Sequence, residues 1–239
     1  MVGDGGPTSG EIRDRHERIL ARLRRTASEN GHDPDRLRIV AVTKTWPVEV
    51  ARAAVDAGIT SLGESRIQEA EAKIAELPTV EWHFIGRIQS NKLRRAVRGF
   101  RYVHSVDSLD LAARADELVA EERRDVRYLL QVNVTGEQTK AGFAPEDLMA
   151  AAPALRDSHA VGLMTIAPMD ASFADARAVF RGLRELRDQL EDATGAALPE
   201  LSMGMSADAD AAAAEGATLV RIGTALFGPR EATLVSSPP

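Results

Sequence analysis

Residues 37–62 read LRIVAVTKTWPVEVARAAVDAGITSL and contain one copy of the unit that predicts the fold. A short apolar run at 37–42 opens the stretch, and another at 59–62 closes it. Between the two runs, Pro47 begins a segment whose apolar residues recur at helical spacing as far as Gly58. Short apolar runs without polar alternation are typical of parallel strands that are covered on both faces. The stretch therefore predicts two parallel strands joined by a helix.

The same alternation of strand and helix patterns continues along the chain. Six more apolar runs of strand character lie at residues 81–85, 102–106, 127–134, 160–166, 200–203 and 218–222. Eight parallel strands that alternate with helices within 239 residues favour one particular α/β fold, a (β/α)8 TIM barrel, over an open doubly wound sheet.

The barrel is expected to occupy residues 9–230 as a single domain. An extra helix at its start is indicated by Thr8 and Glu11, whose spacing fits a capping box, and by the apolar face that follows them. We expect residues 1–8 and 231–239 to be flexible, because they carry the loose composition of chain termini.

The composition excludes several classes of protein. The net charge of −6 and the pI near 5.5 disfavour a nucleic-acid binder, which needs a basic face. The absence of cysteine excludes disulfides, thiolate catalysis and iron–sulfur ligation. No apolar run approaches the roughly 18 residues of a membrane span, and the start lacks the pattern of a secretory signal. We expect a cytoplasmic protein with no membrane and no nucleic-acid partner.

Lysine and arginine together number 30, but only four of these residues are lysines: Lys44, Lys73, Lys92 and Lys140. A lysine amine, unlike a guanidinium, can lose its proton and act as a nucleophile. Lys44 follows the first strand, and TIM-barrel sites lie at the carboxyl ends of the strands. We therefore expect Lys44 at the barrel mouth and partly desolvated, which favours the neutral amine. An ordinary rim lysine is the alternative.

The last two strands are each followed by a glycine turn, S-M-G-M-S at residues 202–206 and R-I-G-T at 221–224. TIM barrels often bind phosphate at this corner, because glycine lets the backbone approach an anion and a helix start adds a favourable dipole. Closure of the barrel would place Lys44 beside the eighth strand and this corner. An amine beside a phosphate site suggests a Schiff base with a phosphorylated aldehyde such as pyridoxal phosphate, although ordinary turn glycines give the same pattern.

The chain resembles the pyridoxal phosphate homeostasis protein family, the single-domain relatives of the alanine racemase N-terminal barrel. The resemblance covers residues 11–229 and rests on motifs in the expected order: AVTKT, GESRIQEA, WHFIGRIQSNK, VNVTGEQTKAGF, GLMTIAP, LSMGMSADADAA and VRIGTALFG. It implies an alanine racemase N-terminal-domain-like barrel that binds pyridoxal 5'-phosphate.

The resemblance also implies roles for individual residues. Lys44 in AVTKT matches the lysine that forms the Schiff base, and Arg221 in VRIGT matches the arginine that faces the pyridine nitrogen. The other positions implied to bind the cofactor are His83, Asn91, Ser202, Met203, Ser206, Gly223 and Thr224, with Ser206, Gly223 and Thr224 at the phosphate. Lys140 matches a lysine near the mouth. From the pattern alone, His83 inside an apolar strand is more typical of a satisfied core histidine.

Two positions depart from the family pattern. Ser65 stands in G-E-S-R where the family usually has asparagine, and a hydroxyl offers fewer hydrogen-bonding groups than an amide. Trp46 stands where many relatives have a second lysine, two residues after the Schiff-base lysine. We assign no catalytic residue and no metal ligand, and we interpret Asp208, Asp210 and Glu215 as a solvated helix face.

The leading functional hypothesis is a non-enzymatic carrier that holds pyridoxal phosphate on Lys44, supplies it to apo-enzymes and so maintains vitamin B6 balance. We expect a monomer. The alternative is a weak amino-acid racemase, but a two-base racemase needs a second acid–base group, and only 15 residues follow Thr224. A cofactor-free sugar-phosphate isomerase or aldolase on the same barrel is the third hypothesis.

Overall fold

The computed structural model describes residues 6–137 and 140–229, in which eight parallel strands close into a barrel. The strands pair in chain order, and β1 also pairs with β8, which completes the ring. The predicted TIM barrel is therefore confirmed. The strands are β1 Arg38–Val42, β2 Ser61–Glu64, β3 Glu81–Phe84, β4 Tyr102–Val106, β5 Arg127–Gln131, β6 Ala160–Met164, β7 Glu200–Ser202 and β8 Leu219–Ile222.

Helices surround this barrel, and most of them connect one strand to the next. Two single 3-10 turns, Pro34–Arg36 and Ser90–Lys92, accompany them. The helices are α1 Ser9–Glu29, α2 Val48–Asp56, α3 Ile67–Glu76, α4 Leu93–Gly99, α5 Leu109–Glu122, α6 Pro145–Ala150, α7 Ala152–Leu155, α8 Phe173–Thr194, α9 Ala209–Ala214 and α10 Thr224–Phe227.

The extra N-terminal helix α1 begins with the predicted capping box. Thr8 Oγ1 accepts from the backbone N–H of Glu11, and the Glu11 carboxylate accepts in return from the N–H of Thr8 over 2.8 Å. The buried face of α1 packs on α2, α9 and α10, beside the strands β1 and β8 that close the barrel. Of the two segments predicted to be flexible, residues 1–5 and 231–239 lie outside the described residues.

The interior of the barrel is layered. An apolar middle layer consists of Val40, Tyr102, Leu129, Met164 and Leu219. Below it, at the starts of their strands, lie the charged residues Arg38, Glu81 and Glu200. Above it, toward the carboxyl ends of the strands, lie the polar residues His104, Ser202 and Arg221. The larger hydrophobic core lies between the strands and the surrounding helices. The fold thus places polar groups at the mouth, where TIM-barrel sites are built.

Candidate functional site

A cavity of about 350 Å³ opens at the carboxyl ends of the strands, within the usual size range of ligand pockets. The predicted site residues that line it are Lys44, Ser206, Arg221, Gly223 and Thr224. Its other walls are formed by Val42, Trp46, Ile85, Ile166, Met205, Ala207 and Gly228. The fold therefore brings Lys44, which follows β1, to the corner formed by the turns after β7 and β8. More than 150 residues of chain separate the two.

Lys44 is carried by a tight turn at the end of β1. The backbone N–H of Trp46 donates to the carbonyl of Thr43 over 3.0 Å, which closes the turn. Thr45 has a φ of 66°, a costly conformation for a β-branched residue and one that often occurs at functional sites. Lys44 itself is exposed. The expectation of a partly desolvated amine is therefore wrong, because the turn carries the side chain beyond the packed wall of the barrel to its open mouth.

Arg221 is buried, and its guanidinium is held by neighbouring oxygen atoms. Nη1 donates to the carbonyl and hydroxyl oxygens of Ser202 over 2.9 and 2.5 Å, and Nη2 donates to the carbonyl of Thr165 over 2.9 Å. Burial lowers the pKa of Arg221 to about 10, against the opposing effect of the Asp208 carboxylate. The guanidinium therefore stays cationic at neutral pH and presents a fixed positive charge to the cavity that it lines.

The corner after β7 and β8 needs its glycine. Gly204 has a φ of 87°, and a Cβ there would lie 2.5 Å from the Cβ of Ala212, so the turn has no room for a larger residue. Helix α10 starts at Thr224, and helix starts leave N–H groups without intrahelical partners. The Ser206 hydroxyl accepts from the N–H of Ala225 over 3.4 Å, which places it beside this helix start. The corner can therefore present several donors to an anion.

The remaining predicted residues do not line the cavity. His83 is fully buried inside the barrel, where it bonds to neighbouring side chains. Met203 is buried in the outer core, and Asn91 is exposed in the 3-10 turn Ser90–Lys92. Ser202 is buried and does not line the cavity, but it contacts Arg221, which does. These four residues stay predictions as cofactor contacts.

Two residues that support the site, Thr165 and His104, were missed from the sequence. Thr165, whose carbonyl holds Arg221, lies in the quoted motif GLMTIAP but received no role. His104 bonds to Ser202, and its only signal was a polar ring within the predicted strand YVHSV. Trp46, noted as a departure from the family pattern, forms a wall of the cavity.

Other functional features were sought in the part of the chain that the structure describes. Lys140, predicted near the mouth, donates to the Glu137 carboxylate over 2.7 Å. Within residues 6–137 and 140–229, no group of three or more histidines and carboxylates could hold a metal ion. In the same ranges, no helix combines the length and the hydropathy that a membrane crossing requires.

Comparison with known proteins gives the family. The family described as alanine racemase, N-terminal domain, matches residues 17–231. A pyridoxal phosphate homeostasis protein of Pseudomonas aeruginosa is 46% identical over 220 residues, which are 90% of this chain and 94% of the relative. The chain belongs to the pyridoxal phosphate homeostasis protein family. Its curated relatives are named for homeostasis and not for an enzymatic reaction, in agreement with the expectation of a non-enzyme.

Two solved structures resemble this chain in fold. PipY of Synechococcus elongatus, solved with PLP bound, is 41% identical, with a TM-score of 0.76 over 88% of this chain and 100% of PipY. The D-threo-3-hydroxyaspartate dehydratase of Delftia sp. HT23 is 22% identical, with a TM-score of 0.65 over 89% of this chain and 59% of the dehydratase. The second likeness shows the shared fold alone.

Proposed function

We propose that this member of the pyridoxal phosphate homeostasis protein family binds pyridoxal 5'-phosphate as a Schiff base on Lys44 and supplies the cofactor to apo-enzymes. The observation that carries the proposal is that Lys44, Arg221 and the glycine-turn corner line one cavity. The PLP-bound structure of PipY, at 41% identity, supports the same ligand.

The residues of the cavity fit this ligand chemically. The Lys44 amine would add to the aldehyde carbon, the carbonyl oxygen would leave as water, and a C=N bond would form. Ser206, Gly223 and Thr224 would hold the phosphate with a hydroxyl and backbone donors. The exposure of Lys44 suits reversible loading, because both the free aldehyde and a competing amine can reach it.

Arg221 favours holding over reaction. When bound, pyridoxal phosphate supplies an electron sink whose strength depends on protonation of the pyridine nitrogen. A permanent cation beside that nitrogen disfavours its protonation, as expected for a carrier. The guanidinium is fixed by Ser202 and Thr165, so it can keep this position without help from the ligand. Trp46 and Ile166 would contribute apolar walls beside the bound cofactor.

Borohydride trapping with peptide mapping tests the attachment site. Reduction would fix an adduct on the modified lysine, and an adduct on Lys44 blocks tryptic cleavage there. The single peptide of residues 39–52 then replaces the peptides of residues 39–44 and 45–52. We expect this change in the protein incubated with pyridoxal phosphate, together with a visible Schiff-base absorbance that reduction removes.

Lys44→Arg keeps the charge and removes the nucleophile, so we expect it to lose both signals. Lys92→Arg is the matched control, because Lys92 lies in the 3-10 turn Ser90–Lys92 and not in the cavity wall. An adduct that forms equally well in Lys44→Arg would refute the assignment. A protein that stays colourless with added cofactor would instead favour a cofactor-free phosphate barrel.

Supply to apo-enzymes needs a separate kinetic test. The loaded protein is mixed with an apo-enzyme and an excess of an aldehyde scavenger, and recovery of enzyme activity is compared with that from free cofactor. A carrier should protect the aldehyde from the scavenger and still activate the apo-enzyme. Recovery no better than that from free cofactor would count against the carrier role, while exchange of α-hydrogen for deuterium in amino acids would favour the racemase. The monomeric state stays a prediction for sedimentation analysis.

A further inference from the structure

A continuous chain of hydrogen bonds runs through the barrel interior from the cavity toward the opposite end. Ser202 Oγ lies 2.5 Å from Arg221 Nη1 and 2.8 Å from Nδ1 of His104. Nε2 of His104 lies 2.9 Å from Nδ1 of His83, and Nε2 of His83 lies 3.1 Å from Oε1 of Glu81. Three of the five residues, Ser202, His104 and His83, are completely buried.

The two ends of this chain fix the direction of every bond in it. A guanidinium can only donate, so Ser202 Oγ accepts from Arg221. A carboxylate can only accept, so Nε2 of His83 carries a proton and donates to Glu81. Nδ1 of a neutral His83 is then an acceptor, which requires His104 to donate from Nε2 and leaves Nδ1 of His104 to accept from the Ser202 hydroxyl. With neutral rings, one arrangement satisfies all four contacts.

The surroundings keep both imidazoles neutral. Burial lowers the pKa of His83, and burial lowers the pKa of His104 well below its ordinary value, with further lowering by His83 and Arg221. Two other charged groups face the pair of histidines, Arg38 on β1 and Glu200 on β7, and they form an ion pair with each other. Arg127 on β5 donates to the hydroxyl of Tyr102, whose ring stacks on His83. Glu81 also accepts from Ser61 and pairs with Arg38.

The fixed direction matters at the cavity end. Because the hydroxyl hydrogen of Ser202 is committed to His104, the lone pairs of Ser202 Oγ stay turned toward Arg221. Without an acceptor at the His104 position, the hydroxyl can rotate and loses its orientation as an acceptor. We propose that His104 and His83 are positioning residues, which act through Ser202 to hold the Arg221 guanidinium at the angle that it presents to the cavity. The consequence for cofactor binding rests on the proposed function, but the positioning itself does not.

Nuclear magnetic resonance of the full chain, labelled with ¹⁵N and free of cofactor, tests the relay directly. We expect both His83 and His104 to be neutral at pH 7 and protonated at Nε2. We also expect restricted rotation and slow hydrogen exchange for the Arg221 guanidinium. An imidazolium, or a proton on Nδ1 of either ring, would overturn the assigned direction. This experiment stands even if the protein binds no pyridoxal phosphate.

Two substitutions of His104 separate positioning from packing. In His104→Asn, the side-chain oxygen replaces Nδ1 as the acceptor for Ser202, whereas His104→Leu fills the space with no acceptor. We expect hydrogen exchange of the Arg221 guanidinium to accelerate in His104→Leu and to stay near the wild-type rate in His104→Asn. If the cofactor proposal also holds, His104→Leu should weaken binding of pyridoxal phosphate about tenfold, the effect of losing a hydrogen bond to a charged group.

Tyr102→Phe is the control for a disturbed interior, because its ring stacks on His83 at 4.6 Å while its hydroxyl accepts from Arg127 and takes no part in the chain of hydrogen bonds. It should leave guanidinium exchange unchanged. Equal exchange rates in wild type and His104→Leu would overturn the proposal. So would equal acceleration in His104→Asn and His104→Leu, since that result would indicate packing alone.

Discussion

The ammonium group of Lys73 lies 2.6 Å from Oε1 of Glu64, and both side chains are buried beside the turn that carries Lys44. Lys73 also donates to the carbonyl of Thr43 over 2.9 Å, while the Thr43 hydroxyl donates to Glu64 over 2.7 Å. The ion pair thus binds both the backbone and the side chain of the residue that precedes Lys44. A buried ion pair outside the cavity therefore fixes the base from which the candidate nucleophile projects.

Lys73→Met should destabilise the protein by about 3–5 kcal/mol, because it leaves the Glu64 carboxylate buried without a counter-charge. Urea denaturation with an unchanged m-value would measure this loss. Arg95→Met is the matched control, since it removes the exposed pair of Arg95 and Glu71 on neighbouring helices and should leave the free energy of unfolding nearly unchanged. Similar losses in the two variants would contradict the structural role of Lys73.

Gly204→Ala should destabilise the protein and disturb the glycine-turn corner. The substitution adds a Cβ that would lie 2.5 Å from the Cβ of Ala212, and it also places a non-glycine residue at a φ of 87°. We expect a loss of about 2–4 kcal/mol, combining the backbone penalty with overpacking. Thermal and urea unfolding would measure it.

Gly195→Ala separates the two causes of that loss. Gly195 ends α8 at a φ of 71°, but a Cβ there meets no atom within 4 Å. The Gly195→Ala variant should therefore lose only the backbone penalty of about 1–2 kcal/mol from its free energy of unfolding. If both variants lose the same free energy of unfolding, the close contact with Ala212 contributes nothing.

The free energy of unfolding should fall as the pH is lowered below about 6.5. Burial lowers the folded-state pKa values of His83 and His104, so below the ordinary value of 6.5 the unfolded chain binds more protons than the folded protein. Each histidine should then contribute a loss of about 1.4 kcal/mol per pH unit. The hydrogen bond from His83 lowers the pKa of Glu81 to about 2, so its contribution to stability is lost below about pH 4.5.

Denaturation at several pH values between about 6.5 and 5 would give this slope. His104→Asn removes one buried imidazole and should reduce the slope by about 1.4 kcal/mol per pH unit. Leu129→Ala, in the apolar middle layer, should lower stability at every pH without changing the slope. An unchanged slope in His104→Asn would mean that His104 is protonated in the folded protein.

Glu215 is a buried carboxylate at the centre of a charge cluster, and its interpretation as part of a solvated face was wrong. Its carboxylate is 3% exposed and accepts from three side chains of α8, namely Arg177, Arg181 and Arg184. The helix pattern placed the residue at the end of α9, but only the packing of α8 against α9 shows that it is covered.

Glu215→Gln should destabilise the protein, because the buried side chain would lose its charge-assisted hydrogen bonds and three partly exposed guanidinium groups would face one another without a carboxylate. Asp210→Asn is the control on the same helix, where Asp210 forms an exposed pair with Arg22 over 3.2 Å. Its loss should stay below about 1 kcal/mol in the same unfolding experiment. A neutral effect of Glu215→Gln would show that the arginines find other partners.

The elements of the fold could be predicted because their signals are local. The run at 37–42 became β1 Arg38–Val42, and Thr8 with Glu11 formed the predicted capping box. Four strands, β3, β5, β6 and β7, end earlier than their apolar runs. The run at 127–134 continues past the end of β5, where Val132 forms an isolated bridge with Phe143 in the loop that follows.

The sequence by itself determined the barrel, and with it the meeting of Lys44 with the corner after the last two strands, because strand order and closure follow from a regular alternation of patterns. Only the tertiary structure decided the exposure of Lys44 and the contact of His104 with Ser202, which lies 98 residues further along the chain. Burial and the pairing of side chains depend on residues brought together by the closed barrel, and no local pattern contains their positions.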